Sequence, residues 1–257
     1  MNNNNVPLVS VIMPLYNSAP YLKDAIESVC RQSISNWELL IVNDASTDQS
    51  YSLAHKFTQK DKRIHLLSLS HNKGTAYARN IAIRQAKGRF IAFLDSDDIW
   101  YPQKLEKQLN FMQNHQSTFS FCAYRRISEK GKPLNHISVP HRLTYEEFLK
   151  KTAIGCLTVI YDTKQISPCF FNEELPMNED FECWARILKQ IGYADGLNEV
   201  LADYRVRNNS RSSHKLKAVC QMWKIQKNDL HITFFKRVWN VTNYILYAIR
   251  KKIKKYS

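Results

Sequence analysis

The sequence predicts an α/β fold with a mainly parallel central sheet and flanking helices, followed by a basic amphipathic helix at the C-terminal end. Three observations carry this reading. Short apolar, β-rich runs alternate with segments of helical period from residue 8 to residue 95. That spacing implies right-handed β-α-β crossovers. Each run stops at a polar residue, as strands do when they deliver side chains to a ligand site beyond their carboxyl ends. The last 27 residues, 231–257, hold seven Lys or Arg and no acid, with apolar residues at helical spacing.

The elements follow in order. "LVSVIMPLYN" (8–17) reads as a buried strand ending at Asn17. Residues 18–33 read as a helix with Ser18 at its N-cap and Leu22, Ala25, Ile26 and Val29 at helical spacing. "WELLIVNDAS" (37–46) is a second strand, stopping at Asp44, and 47–60 a second helix. "RIHLLSLS" (63–70) is a third strand, leading to Ser70–Asn72. A helix over 75–88 closes on Gly88 as C-cap. "RFIAFLD" (89–95) is the fourth strand, running into Asp95, Asp97 and Asp98. Beyond it come a helix with Pro102 at its start, an alternating strand over 119–128, a turn at "EKGKP", a helix near 144–152 and a strand near 156–161. "NEDFECWARILKQIG" (178–192) reads as a helix opening on Glu179–Asp180, and no internal repeat is present.

Composition excludes several classes. The chain has 257 residues, 44% of them hydrophobic, enough for a sizeable core and against intrinsic disorder. Its six cysteines form no C-x-x-C pair, which speaks against a zinc site or a disulfide framework and for a reducing compartment. Its six glycines form neither G-x-G-x-x-G nor a Walker A loop, so ordinary NAD-binding and P-loop scaffolds are out. No secretory signal and no membrane-spanning helix are expected. From residue 201 onward fourteen Lys or Arg face two acids, Asp203 and Asp229, so +12 of the +14 net charge sits in the tail and the first 200 residues are nearly neutral. That distribution argues against nucleic acid as partner.

The aspartates are the strongest single signal. Three carboxylates within four residues repel one another unless a cation relieves them, and Mg²⁺ or Mn²⁺ joins one or two carboxylates to substrate phosphates. The plainer alternative is a solvated turn with Asp98 capping the next helix. "HNKGTAYARN" (71–80) adds a turn glycine, a helix N-terminus, Lys73 and Arg79, a combination suited to a diphosphate.

Taken together, "VSVIMPLYNSAPYLKDAIESVCRQS", "WELLIVNDASTDQS", "NKGTAYARNIAIRQAKGRFIAFLDSDDIWYPQKLEKQ" and "NEDFECWARI" resemble the family 2 glycosyltransferases, closely over about residues 8–110 and more loosely to about 213. The resemblance implies the Rossmann-like GT-A fold and an inverting enzyme that takes a UDP-sugar with Mn²⁺ or Mg²⁺. It implies a nucleobase wall of Pro14, Tyr16 and Asn17, and Asp44 as the uracil partner. Lys73, Arg79, Asp95, Ser96 and Asp97 are then expected at the nucleotide, and Asp97 and Asp98 at the metal. Asp180, with Glu179 beside it, stands where the family has its general base; the plainer reading is acids complementing a helix dipole. "DYRVRNNSRSSHK" (203–215) resembles a loop closing over the diphosphate, with Arg205, Arg207, Arg211 and His214 as candidates. The Q-x-x-R-W segment and spanning helices of processive members are missing, so single-sugar transfer is expected.

The expected organisation is a catalytic domain over 1–215, with a nucleotide half (8–110) and an acceptor half (111–215), and a helical basic tail over 216–257. Phe234, Val238, Val241, Ile245, Ile249 and Ile253, with Trp239, Tyr244 and Tyr247 among them, suit an anionic membrane surface; a helix packed on its own domain is the alternative. A lipid-linked saccharide acceptor on the inner face of the cytoplasmic membrane fits both tail and site, as in bacterial O-antigen or capsule assembly. Two other readings are a non-catalytic nucleotide-sugar or glycan-binding protein and a sugar-1-phosphate nucleotidyltransferase. The sequence sets no donor sugar, linkage or oligomeric state.

Overall fold

A computed structural model describes residues 6–151, 153–207 and 215–253. The elements run β1 (Val9–Leu15), α1 (Ala19–Cys30), β2 (Trp37–Asn43), α2 (Ser50–Lys60), β3 (Ile64–Ser68), α3 (Thr75–Gln85), β4 (Phe90–Phe93), β5 (Ile99–Trp100) and α4 (Lys104–Asn114). They continue with β6 (Phe119–Ser128), β7 (Pro133–Ile137), β8 (Arg142–Thr144), α5 (Tyr145–Phe148), a 3-10 turn (Cys156–Thr158), β9 (Ile160–Asp162), α6 (Glu179–Ile191), β10 (Tyr193–Val206), α7 (Lys215–Asn228) and α8 (Phe234–Ile253). One sheet has the order β3-β2-β1-β4-β9-β6-β10-β5, with β7 on β6 and β8 on β10. Strands β1 to β4 pair in parallel, and so do β6 and β10; β9 runs antiparallel between β4 and β6.

Strand periodicity divides the core in two. On β1, Ile12 faces the helices α3, α6 and α7, whereas Val11, Met13 and Leu15 face α1, α2 and α4. On β2, Leu40 and Val42 go one way and Leu39 and Ile41 the other. A sheet buried on both faces must be apolar on both, which is why its strands read as continuous hydrophobic runs. Trp184 of α6 is fully buried and stands edge-on to Phe93, Phe119 and Phe171 at centroid distances of 5.3, 5.4 and 5.5 Å. At about 0.5–1.5 kcal/mol per aromatic pair beyond area burial, this cluster fixes α6 against the end of β4. Helix α6 is thereby held beside the loop that carries the aspartates.

Three local readings are corrected. Gly88 is not the cap of α3, which ends at Gln85. A Cβ at Gly88 would lie 2.5 Å from the Ser10 nitrogen, and the Gly88 N–H donates to Ser10 Oγ at 2.8 Å. The glycine is there for close approach to β1, and Gly88→Ala is expected to cost roughly 1–3 kcal/mol of stability by overpacking, measurable by urea unfolding. Ser18 does stand at the N-cap of α1, but its hydroxyl serves the Tyr16 carbonyl and not the helix. Residues 156–158 form a 3-10 turn ahead of β9. Asp203–Val206 lie in β10 and not in a loop; two register shifts along β10 hide its alternation in the sequence.

The C-terminal helices pack on the domain. Met222, Ile225, Leu230 and Val241 are buried in the same core as α6. Gln226 donates to the Leu149 carbonyl (3.3 Å) and accepts from Asn240 (3.0 Å). The opposite face of α8 is open: Phe235 is 85% and Trp239 61% exposed, with Val238, Ile245 and Leu246 exposed beside them. Among the described residues no helix is long and apolar enough to cross a membrane.

Candidate active site

The site lies where β1, β2 and β4 end. The even-numbered residues of β1 turn their backbone groups toward β4, since the Ile12 carbonyl accepts from Leu94 N. Pro14 comes two residues later, beyond the last β1–β4 pair at Ile12–Phe93. A proline is tolerated there because no ladder hydrogen bond is lost. Pro14 is buried within β1, and Tyr16 follows it on the open side, 48% exposed. Asn17 adopts a positive φ of 45°; its Oδ1 accepts from the backbone of Thr47 (2.8 Å) and Asp48 (3.3 Å). It joins the loop after β1 to the loop after β2. Asp44 is buried, and its two carboxylate oxygens accept from the Lys73 and Gly74 N–H groups at 2.7 and 2.8 Å. That clamp shapes the turn at Gly74 (φ +90°) and so the start of α3. Lys73 places its ammonium 4.5 Å over the Tyr77 ring and borders a cleft of ≈ 200 Å³ shared with Thr75, Glu173 and Pro176.

The aspartate loop is layered. Ser96 is buried and donates to Ser18 Oγ at 2.9 Å, tying the loop to the start of α1. Asp98 is buried beneath it: one oxygen accepts from the Arg205 N–H at 2.8 Å, and Oδ2 has no hydrogen-bond partner among the described residues. Asp97 keeps 23% of its side chain exposed and meets Arg207 at 3.2 Å; Asp95 keeps 31% exposed. Burial and the charges of Asp97 and Asp95 push Asp98 well above the usual carboxylate range. Burial and Asp95 raise Asp97 as well. A cradle of oxygens that resists ionising together is the chemistry a hard cation relieves. Among the described residues no cluster of three or more His, Cys, Asp or Glu is arranged to hold a metal unaided.

Arg79 joins the halves of the site. It is 3% exposed, yet its guanidinium donates to Asp95 Oδ1 at 2.7 Å and to Glu179 Oε1 at 3.1 Å, and lies 5.1 Å from the Phe171 ring. Burial opposes its charge, but Asp95 and Glu179 hold the guanidinium well above its ordinary pKa. Asp180, partly buried at the first turn of α6, accepts from Phe181 N at 2.8 Å. Burial, and then the neighbouring Glu179 carboxylate, push its pKa to about 6, against the pull of Arg79. A carboxylate so tuned is poised for proton abstraction near neutral pH.

The basic candidates separate by position. Arg205 is 5% exposed and committed below the aspartate loop: Nε donates to the Asp97 carbonyl (2.8 Å) and Nη1 to the Glu129 carbonyl (3.0 Å). Arg207 reaches the open carboxylate of Asp97 from above. Arg211 and His214 lie outside the described residues. Two contributors escaped the sequence reading. Tyr21 of α1 is flanked by Arg205 (4.9 Å) and Arg207 (5.2 Å) and donates to Glu129 at 2.7 Å. Asn80 donates to the Phe171 carbonyl at 2.9 Å and accepts from Phe171 N at 2.7 Å, pinning the segment before α6. Asn80 had a signal, its place beside Arg79; Tyr21 had none, because its partners come from 108 or more residues away.

Comparison with known proteins gives the family. The family model described as "Glycosyl transferase family 2" matches residues 10–165. A Bacillus subtilis (strain 168) protein named as a glycosyltransferase of teichuronic acid biosynthesis, TuaG, is 42% identical over 248 residues, 96% of this chain and 98% of its own. The Escherichia coli UDP-Glc:alpha-D-GlcNAc-diphosphoundecaprenol beta-1,3-glucosyltransferase WfgD is 37% identical over 95% of this chain and 94% of its own. Among solved structures, S. aureus TarS 1-349 in complex with UDP-GlcNAc superposes with a TM-score of 0.71 over 92% of this chain and 71% of its own, at 22% identity, a likeness of fold. With a family match over more than half its length and relatives aligned almost end to end, the chain belongs to glycosyl transferase family 2 and has the GT-A fold.

Proposed function

We propose that the chain transfers a single hexose or N-acetylhexosamine from a UDP-sugar to an undecaprenyl-diphosphate-linked saccharide, with inversion, in the assembly of a surface polysaccharide. The observation that carries this reading is the Arg79 bridge, which sets the strand-end aspartates one guanidinium away from Glu179 and its neighbour Asp180. Nucleotide site and base are thereby one constellation. Asp180 removes the proton of the acceptor hydroxyl as that oxygen attacks the anomeric carbon, and UDP leaves from the opposite face. Glu179 and Arg79 orient that helix turn and hold the aspartate loop. Tyr16, Asn17 and Asp44 shape the nucleobase end, and Arg207 and Lys73 bring positive charge to the diphosphate. Arg205 acts from below by fixing the loop. Asp97, with Asp98 or Asp95 near it, would hold a divalent cation, which would supply positive charge against the diphosphate leaving group. WfgD, whose name specifies a UDP-glucose donor and a diphosphoundecaprenol acceptor, supports both substrate classes.

The test is a thermal-protection assay followed by a donor screen. With Mn²⁺ present, UDP at 100 times its dissociation constant is expected to stabilise the protein by about 2.7 kcal/mol, and GDP by less. Asp97→Ala should lose the metal-dependent part alone. Equal protection of wild type and variant would overturn the role given to Asp97. A screen of UDP-sugars against a synthetic lipid-diphosphate saccharide then reads transfer; nucleotide binding without turnover of any donor would favour a non-catalytic binding protein.

An acceptor of that kind lies in a membrane, and α8 offers the matching surface. Its open face combines Phe235, Trp239, Val238 and Leu246 with the basic run that follows, complementary to anionic lipid. Wild-type protein is expected to float with anionic liposomes, and Phe235→Glu/Trp239→Glu, which leaves the buried face untouched, to stay in the bottom fraction. Equal flotation of the two would remove α8 as the contact.

A further inference from the structure

Cys169 and Cys183 face one another in the core: their sulfurs lie 3.0 Å apart, and each Sγ also sits 3.8 Å from the other's carbonyl oxygen. That separation is inside ordinary contact for two thiols, and closing it to a covalent bond asks for about 1 Å of movement. Cys183 is fully buried on α6, one turn past Glu179, while Cys169 is 8% exposed at the edge of the preceding segment. The guanidinium of Arg186 bonds the Phe170 carbonyl and the Glu182 carboxylate, placing a cation beside the pair.

We propose that Cys169 and Cys183 form an oxidisable dithiol site, closed to an internal disulfide by a small-molecule disulfide of the glutathione class. This goes beyond the transferase reading and stands without it. The asymmetry of the two thiols supports it. The Cys183 S–H donates to the Cys169 sulfur, which with Arg186 lowers the Cys169 pKa, whereas burial holds Cys183 well above the ordinary thiol range. Cys169 is therefore the attacking thiolate and Cys183 the resolving thiol. In the first step the Cys169 thiolate attacks one sulfur of the small disulfide, a mixed disulfide forms, and the other half leaves as a thiolate. In the second, Cys183 gives up its proton to that thiolate and displaces the second half, leaving the Cys169–Cys183 bond. Two protein thiols are oxidised and one small disulfide is reduced to two thiols.

The bond would staple two parts of the site. Between Cys169 and α6 runs the segment in which Phe171 lies under Arg79 and is held by Asn80. Its closure fixes the first turn of α6, with Asp180, to the floor beneath Arg79.

The full-length protein is incubated with oxidised glutathione, denatured, alkylated and mapped by mass spectrometry. The expected result is a peptide pair linked through Cys169 and Cys183, with the four other cysteines alkylated, and a melting temperature that rises on oxidation and returns with dithiothreitol. Cys169→Ser should lose the link and the shift while keeping the unoxidised melting temperature close to wild type. Six alkylated cysteines after native oxidation, oxidation confined to the exposed Cys220, or a link that forms only in urea would each overturn the proposal. The transferase reading is scored separately by UDP protection of the reduced protein, so the failure of one is not the failure of the other.

Discussion

Asp180→Asn is expected to lower kcat by 10²- to 10⁴-fold, the usual range for loss of a positioned general base, while leaving UDP protection intact. The same variant should be more stable than wild type. In the folded protein Asp180 titrates at about 6, above the ~3.9 of an unfolded aspartate. Its protonated form is thus favoured by folding: its contribution is fully present below about pH 4 and is lost as pH rises through 6. At pH 7 the charged carboxylate costs roughly 1–3 kcal/mol, which the neutral amide avoids. A melting temperature raised at pH 7.5, with the difference shrinking toward pH 4, is the signature. The wild-type rate should fall below pH 6 along a single-proton limb. A variant that keeps wild-type kcat would dismiss Asp180 as the base. One that loses activity together with UDP protection would reassign it to the nucleotide site.

That trade of stability for a tuned group explains why the site was legible in the sequence where it was. Carboxylates at strand ends and at a helix start are costly where they stand, so they were conspicuous: Asp44, the Asp95–Asp98 run and Glu179–Asp180 all come to the carboxyl edge of β2, β4 or the first turn of α6. The parallel order of β1 to β4 was equally plain, because strands buried on both faces leave unbroken apolar runs. What stayed hidden depends on partners distant in the chain. Nothing near residue 205 says that Arg205 would spend its donors on the carbonyls of Asp97 and Glu129. Gly88 looked like a cap, and only the approach of β1 shows its purpose. The strand β10 was obscured by its bulges and by Asp203, an acid made tolerable within a sheet by Arg125, whose Nε and Nη2 each donate at 2.8 Å. The tail showed its amphipathic period but not that its inner stripe would reach the same core as α6.

The most consequential of these long-range contacts is also the one whose removal should be felt most. Arg79→Gln takes the guanidinium from between Asp95 and Glu179 and removes the Arg79 ion pair from a Glu179 carboxylate that is 6% exposed. Removing one partner of a buried ion pair typically costs 3–5 kcal/mol, which in a chain of this size is a fall of roughly 10 °C in melting temperature. Chemistry should shift with stability. Arg79 holds the Asp180 pKa down against burial and Glu179, so without it the acid limb of the rate profile moves to higher pH. Adding Glu179→Gln removes the buried charge that has lost its Arg79 pair and should restore part of the lost stability and return the limb toward lower pH, since Glu179 is the second cause of the Asp180 shift. Two outcomes would sink this account: a single variant that melts with wild type, or a double variant no more stable than the single. In the first case Arg79 merely fills space beside Phe171; in the second, the loss comes from packing and not from charge. The full pattern would instead mean that one side chain of α3 both holds α6 against the aspartate loop and sets the pH at which its base works.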